Sequence, residues 1–258
     1  MLKPRATVWV LEGEAGEASE ALERAGHRVL APSMLPGRQK PQILVADMAH
    51  LGVSGIQQVR EATSRQPELV PILLHVWEAH LARDVVGADG TRLFLDPVST
   101  DLLVAEVDGL AEAMTRSDTT PADGAGRKLV ADLPSIPELV QPLVAYLVRE
   151  CRDAGLPDPL LSTPVPLCLT EALVNAVAHG NLEVVSRRVR LEARVGSGSF
   201  WCTVTDEGEG FDPGRVPSPT DDENLLRDHG RGLFLIRHFM DEVTFNARGN
   251  SITMSKRA

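Results

Sequence analysis

Short apolar runs punctuate the first half of the chain: Thr7–Leu11, Arg28–Leu30, Ile43–Ala46, Ile72–Leu74 and Leu93–Leu95. Stretches with helical spacing separate them, for example Ala18–Ala25 and Gly55–Ser64. Continuous apolar strands divided by helices predict a parallel sheet covered on both faces. Five such units make a small doubly wound α/β domain, whose functional residues belong at the carboxyl ends of the strands.

The pattern then stops. Thr115–Gly126 (TRSDTTPADGAG) holds no apolar residue larger than alanine and reads as a linker. It divides the chain into domains 1–114 and 127–258. In the second, a helix is predicted over Pro137–Asp153, and another begins after Thr163 with Pro164 in its first turn. Val189–Val195 and Phe200–Thr205 form a hairpin around Gly196-Ser197-Gly198. A third helix follows Gly232, and strands Glu242–Asn246 and Ser251–Ser255 flank Arg248-Gly249-Asn250. Helices grouped with antiparallel strands predict a two-layer α/β sandwich.

Composition narrows the choices. A chain of 258 residues, 43% of them hydrophobic, supports two globular domains. The net charge is −10, with 11 basic and 16 acidic residues through Arg116 and 15 and 20 after it. Neither half is basic, which argues against nucleic acid or an anionic membrane as partner. Arg187, Arg188 and Arg190 form the one dense basic cluster and read as a solvated stretch of strand. No apolar run is expected to approach the roughly 20 residues that cross a bilayer. The N-terminus lacks a signal-peptide core. Cys151, Cys168 and Cys202 show no metal or disulfide spacing. Cytosol is the expected compartment.

Three segments of the second domain carry candidate chemistry. In Leu169–Asn181 (LTEALVNAVAHGN), Thr170, Leu173, Val174 and Val177 fall on one helical face, and Glu171, Asn175 and His179 on the other. Such a Glu/Asn pair can reach a metal–phosphate group, with the Asn175 oxygen a ligand suited to Mg²⁺. In Val204–Asp212 (VTDEGEGFD), a strand runs into a glycine-rich loop. There Gly208 and Gly210 allow close backbone approach, and Asp206 can accept from the exocyclic amine of adenine. In His229–Ile236 (HGRGLFLI), Gly230, Arg231, Gly232 and Leu233 open a helix whose free N–H groups suit phosphate. The polar stretch from Pro213 to Asp228 reads as a lid. Singly, these are an amphipathic helix, a turn and a Gly-x-Gly. Their order and spacing are what distinguish them.

TEALVNAVAHGN, VTDEGEGFDP and HGRGLFLIRHFMDEVTF together resemble the N, G1 and G2 boxes of the GHKL (Bergerat-fold) ATPase/kinase superfamily, which includes histidine kinases and gyrase. The wording is similar to the anti-sigma-factor serine kinases of the RsbW type, over residues 127–258. The resemblance implies ATP and Mg²⁺ as cofactors, with Asn175 holding the metal and Glu171 acting as base on a substrate serine or threonine. It places Asp206 on adenine, Gly208 and Gly210 along the base, and Gly230, Arg231 and Gly232 over the phosphates. It implies protein partners: an anti-sigma-factor antagonist (a STAS domain) and a sigma factor. A non-catalytic module that binds ATP and sequesters its partner remains an open alternative.

The first domain resembles the receiver domain of response regulators. Asp47 ends the third strand at the phosphoacceptor position, Gly55 follows, and Leu95-Asp96-Pro97 stands at the Lys-Pro position. The departures are substantial. The paired metal-binding acids become Glu12 and Gly13, the Thr/Ser position becomes His75, and the lysine becomes Asp96. A carboxylate there repels a phosphoryl group. The domain therefore reads as a pseudo-receiver used for docking or homodimerisation, with a response regulator phosphorylated at Asp47 and an ATPase output as the remaining alternative. His75 and His80 have no further ligand nearby in sequence, so no metal is expected there. Trp9, Trp77 and Trp201 read as core.

Overall fold

A computed structural model describes residues 5–11, 16–30, 40–76, 91–95, 99–115, 127–196, 198–212 and 231–258. Glu12, Gly13, Trp77, His80, Asp96, Pro97, Ser197, residues 116–126 of the expected linker, the expected lid 213–228 and Gly230 lie outside them. The chain divides into two compact units.

In the first unit the elements run β1 (Thr7–Leu11), α1 (Glu17–Arg24), β2 (Arg28–Leu30), β3 (Ile43–Asp47), α2 (Met48–Arg65), β4 (Val70–Val76), β5 (Thr91–Leu95) and α3 (Thr100–Thr115). The strands pair in parallel in the order β2-β1-β3-β4-β5, the flavodoxin-like doubly wound arrangement. Val8, Val10, Ile43, Val45, Ile72 and Leu74 form one core with Leu22 of α1 and Leu103 and Val107 of α3. Their alternates Trp9, Leu44 and Leu73 are buried as well. Burial on both faces is why these strands read as unbroken apolar runs rather than alternating ones.

The second unit contains β6 (Arg127–Pro134), a 3₁₀ turn (Pro137–Leu139), α4 (Val140–Asp153), α5 (Asp158–Ser162) and α6 (Pro164–Val174). It continues with a π-helical turn (Asn175–Gly180), β7 (Arg188–Gly196), β8 (Ser199–Asp206), α7 (Arg231–Phe239), β9 (Glu242–Phe245) and β10 (Ser251–Arg257). Its sheet is antiparallel, in the order β6-β7-β8-β10-β9. Val189, Leu191, Ala193 and Val195 of β7, Phe200, Cys202 and Val204 of β8, and Met254 of β10 are buried. So are Leu143, Tyr146 and Leu147 of α4 and Val165, Leu169 and Leu173 of α6. The opposite sheet face is polar, with hydroxyl pairs Thr203–Thr253 at 2.8 Å and Thr205–Ser251 at 2.7 Å. One apolar and one polar face is the signature of a two-layer sandwich.

Several expectations change. β6 and α5 had no counterpart in the sequence reading. Val174, placed on one helical face with Leu173 and Val177, is 39% exposed while those two are buried. At 100° per residue Val174 lies nearly opposite the buried face of Cys168, Leu169, Ala172 and Leu173; beyond it the Asn181 N–H donates to the Ala176 carbonyl five residues back. Asp158–Gly180 spans 23 residues with a hydropathy of 1.4, so one stretch does reach membrane-crossing length. Half of that window is buried inside the unit, as in a core helix. The arginines are not simply solvated: Arg188 Nε lies 2.5 Å from a mostly buried Asp132 carboxylate, and Arg190 pairs with Glu192 at 3.2 Å. Trp9 is core, whereas Trp201 is half-buried with the Arg194 guanidinium 5.5 Å from its ring centre.

Candidate functional site

α6 and the π turn carry Glu171, Asn175 and His179, and the first two face the start of α7. Proline in the first turn of α6 costs no internal hydrogen bond, and Cys168, Leu169, Ala172 and Leu173 anchor the helix against the core. Glu171 and Asn175, one turn apart, are both half-buried and meet at Gly232. A methyl group on Gly232 would collide with the Glu171 carboxylate and come 3.5 Å from Asn175 Nδ2. Leu233 is half-buried beside it, and His179 is exposed. Arg231 begins α7, and its side chain lies outside what is described.

Asp206, the last residue of β8, stands at the other end of the same helix. A Cβ on Gly180 would strike its carboxylate, and one on Gly208 would strike the Gly180 carbonyl. Helix end, carboxylate and loop are therefore in backbone contact that only glycine permits. Asp206 Oδ1 accepts from the Gly208 N–H at 2.8 Å. Burial raises the carboxyl's pKa, while that hydrogen bond and the charges of Arg248 and Arg187 act in the opposite sense.

The loop is bolted to the β9–β10 turn. Gly210 (φ 80°) and Gly249 (φ 76°) interlock, since a Cβ on either would strike the carbonyl of Arg248 or Phe211 respectively. Asn250 Nδ2 donates to the Asp206 carbonyl at 2.6 Å, and the Asp206 N–H donates to the Asn250 carbonyl at 3.0 Å. From another element, Asn181 Oδ1 accepts from the Glu207 N–H at 2.9 Å. Neither asparagine was singled out in the sequence. Asn181 closes the first motif and Asn250 sits in the last turn, but their partners lie 26 and 44 positions away.

In the first unit, Asp47 caps α2 by accepting from the Ala49 N–H at 3.0 Å. His75 Nδ1 lies 2.9 Å from its Oδ1 and His50 Nδ1 3.0 Å from its Oδ2. The register of β4 against β5 shifts between Leu73 and Val76, and His75 takes a φ of 52°. Such a bulge re-aims a side chain. Burial raises the Asp47 pKa, but the hydrogen bonds from His75 and His50, the charge of His75 and the Ala49 N–H outweigh it and hold the group at about 2. Among the described residues no group of three His, Cys, Asp or Glu side chains is arranged to hold a metal ion. Burial pushes the Cys151 and Cys168 thiols up to about 12 and that of Cys202 well above its usual value, which makes them poor nucleophiles.

Residues 133–256 match the family described as histidine kinase-like ATPase domain, and the second unit is a domain of that GHKL class. The chain is 35% identical over 100 residues to the serine-protein kinase RsbW of Staphylococcus epidermidis, covering 35% of this chain and 62% of that one. It is 31% identical over 97 residues to the RsbW of Oceanobacillus iheyensis (35% and 61%) and 33% over 91 residues to the anti-sigma F factor of Halalkalibacterium halodurans (33% and 62%). The chain thus spans just under two thirds of the length of the relatives it matches. Among solved structures it is similar to a response regulator receiver domain protein from Clostridium thermocellum, at 17% identity and a TM-score of 0.34 (43% of this chain, 97% of that one). Full-length FixJ from B. japonicum gives 18% and 0.35 (69% and 90%).

Proposed function

We propose that the chain is an ATP-dependent protein serine/threonine kinase of the partner-switching type, which phosphorylates a STAS-type antagonist and binds a sigma factor. The juxtaposition of Glu171 and Asn175 at Gly232, on the same helix whose end at Gly180 meets Asp206, carries this reading. The site fits the nucleotide: Asp206 keeps Oδ2 without a hydrogen bond among the described residues. Gly180 and Gly208 let the helix end and the loop close tightly around Asp206, and Gly232 lets α7 approach Glu171. Asn175 supplies a neutral oxygen for Mg²⁺, which would neutralise phosphate charge when bound. Glu171 takes the acceptor hydroxyl's proton, and Gly232, Leu233 and the N-terminal N–H groups of α7 receive the phosphates. The family resemblance assigns Gly230 and Arg231 to the same phosphates. His179, exposed at the end of the π turn, borders the nucleotide. The kinase names of the relatives support the assignment.

The domains proposed are a pseudo-receiver over 1–114, a linker over 115–126 and the kinase over 127–258, working in the cytoplasm. Both Asp47 oxygens are engaged by histidines, which favours docking or homodimerisation over phosphorylation for the first domain. Transfer from γ-labelled ATP to a STAS-domain protein tests the kinase reading. Glu171→Gln is expected to bind ATP within about twofold of wild type and to lose about 100-fold or more in transfer. Transfer unchanged in that variant removes Glu171 as base. ATP binding with no transfer to any STAS protein favours a sequestering module.

A further inference from the structure

The peptide group between Asp206 and Glu207 is gripped at both of its polar atoms. Its carbonyl accepts from Asn250 Nδ2 at 2.6 Å, and its N–H donates to Asn181 Oδ1 at 2.9 Å. Each gripping amide is itself oriented. Asn181 Nδ2 donates to Ser135 Oγ at 2.7 Å and to the Arg188 carbonyl at 2.9 Å. Asn250 Oδ1 accepts from Asn246 Nδ2 at 2.8 Å, while Asn246 Oδ1 accepts from the N–H groups of Gly249 and Asn250 at 2.8 and 3.1 Å. Asn181 is 0% exposed and Asn250 9%.

A peptide fixed at both C=O and N–H cannot turn about its flanking bonds, so the Asp206 backbone is set. The Gly208 N–H then holds one carboxylate oxygen. Hydrogen bonds weaken steeply off their axis. A carboxylate that must meet one amine of a flat ring therefore gains its discrimination from being aimed as well as from being present. The hydrogen bonds that the two asparagine side chains make do not reach Glu171, Asn175 or Gly232 at the phosphate end of the site.

We propose that Asn181 and Asn250 are positioning residues for nucleobase selectivity, aiming Asp206 at the exocyclic amine of adenine without touching the nucleotide. This rests on the reading of Asp206 as the base-recognition residue. Its signature is loss of base discrimination with the triphosphate's affinity retained.

Calorimetric Kd values for ATP and for inosine triphosphate, in which a carbonyl replaces the amine, test it on the full chain with Mg²⁺. Wild type is expected to favour ATP by about tenfold or more, and Asp206→Ala to abolish the preference. Asn181→Ala and Asn250→Ala each lower the preference several-fold while inosine triphosphate affinity stays within about twofold. In an Asp206→Ala background neither changes it further. Where an alanine variant does not fold, serine at the same position takes its place. Asparagine variants that keep the wild-type preference, or weaken both nucleotides equally, overturn the proposal while Asp206 keeps its role. An unchanged preference in Asp206→Ala removes the base reading and the proposal together.

Discussion

Asp47→Asn isolates the energetics of a carboxylate gripped by two imidazoles. Asparagine keeps an oxygen for the Ala49 N–H but cannot ionise. In the wild type the carboxyl's pKa is about 2, against an ordinary 3.8. At about 1.4 kcal/mol per pKa unit, that gap is worth about 2 kcal/mol. The side chain is only 13% exposed, so solvent screening removes little of it. A folded pKa below the unfolded one means stability fully present above 3.8 and lost as pH falls through about 2. Urea unfolding of wild type and Asp47→Asn at about pH 5 and about pH 2 measures the term as a difference between the two proteins. The wild type's advantage is expected to shrink by about 2 kcal/mol between those conditions. An advantage equal at both, or an Asp47 carboxyl that titrates near 4 by NMR, refutes the clamp. The same clamp leaves neither oxygen open to a small phosphodonor, so labelling at Asp47 is expected to fail.

Three further outcomes follow from the packing. Arg188→Met removes the guanidinium that pairs with the mostly buried Asp132 carboxylate and is expected to destabilise the domain by about 1–3 kcal/mol, read by thermal and chemical denaturation. Gly208→Ala drives a methyl group into the Gly180 carbonyl, which has no side-chain freedom with which to yield. It is expected to cost about 1–3 kcal/mol of stability and to abolish calorimetric nucleotide binding. Cys151, Cys168 and Cys202 are buried with raised pKa values, so none should react with iodoacetamide until urea unfolds the domain.

The strands of the first unit were legible because burial on both faces writes them as apolar runs. The hairpin β7–β8 was legible because one buried face writes alternation. β6 was not. Its RKLVADLP interrupts an apolar run with Asp132, whose partner Arg188 is 56 positions away. Local patterning cannot register a pair that only the sheet brings together. The candidate site was legible at Glu171, Asn175, Asp206 and the glycines because the motifs are contiguous and the chemistry sits in single side chains. The asparagines that hold Asp206 are scattered, and nothing in their immediate neighbours marks them. The pairing of His75 with Asp47, 28 positions earlier, is likewise set by the fold and not by local spacing. The π turn was missed because nothing in the local sequence marks it, and Val174 was misplaced because its helical face was centred on Thr170 rather than on Leu169 and Ala172.

Calorimetric titration of the full chain with ATP and Mg²⁺ tests the central claim most directly, with Asn175→Ala and Asp206→Ala alongside. Saturable binding in the wild type, lost in both variants, is the predicted result. No saturable binding in the wild type, or binding unaffected by both substitutions, would contradict it.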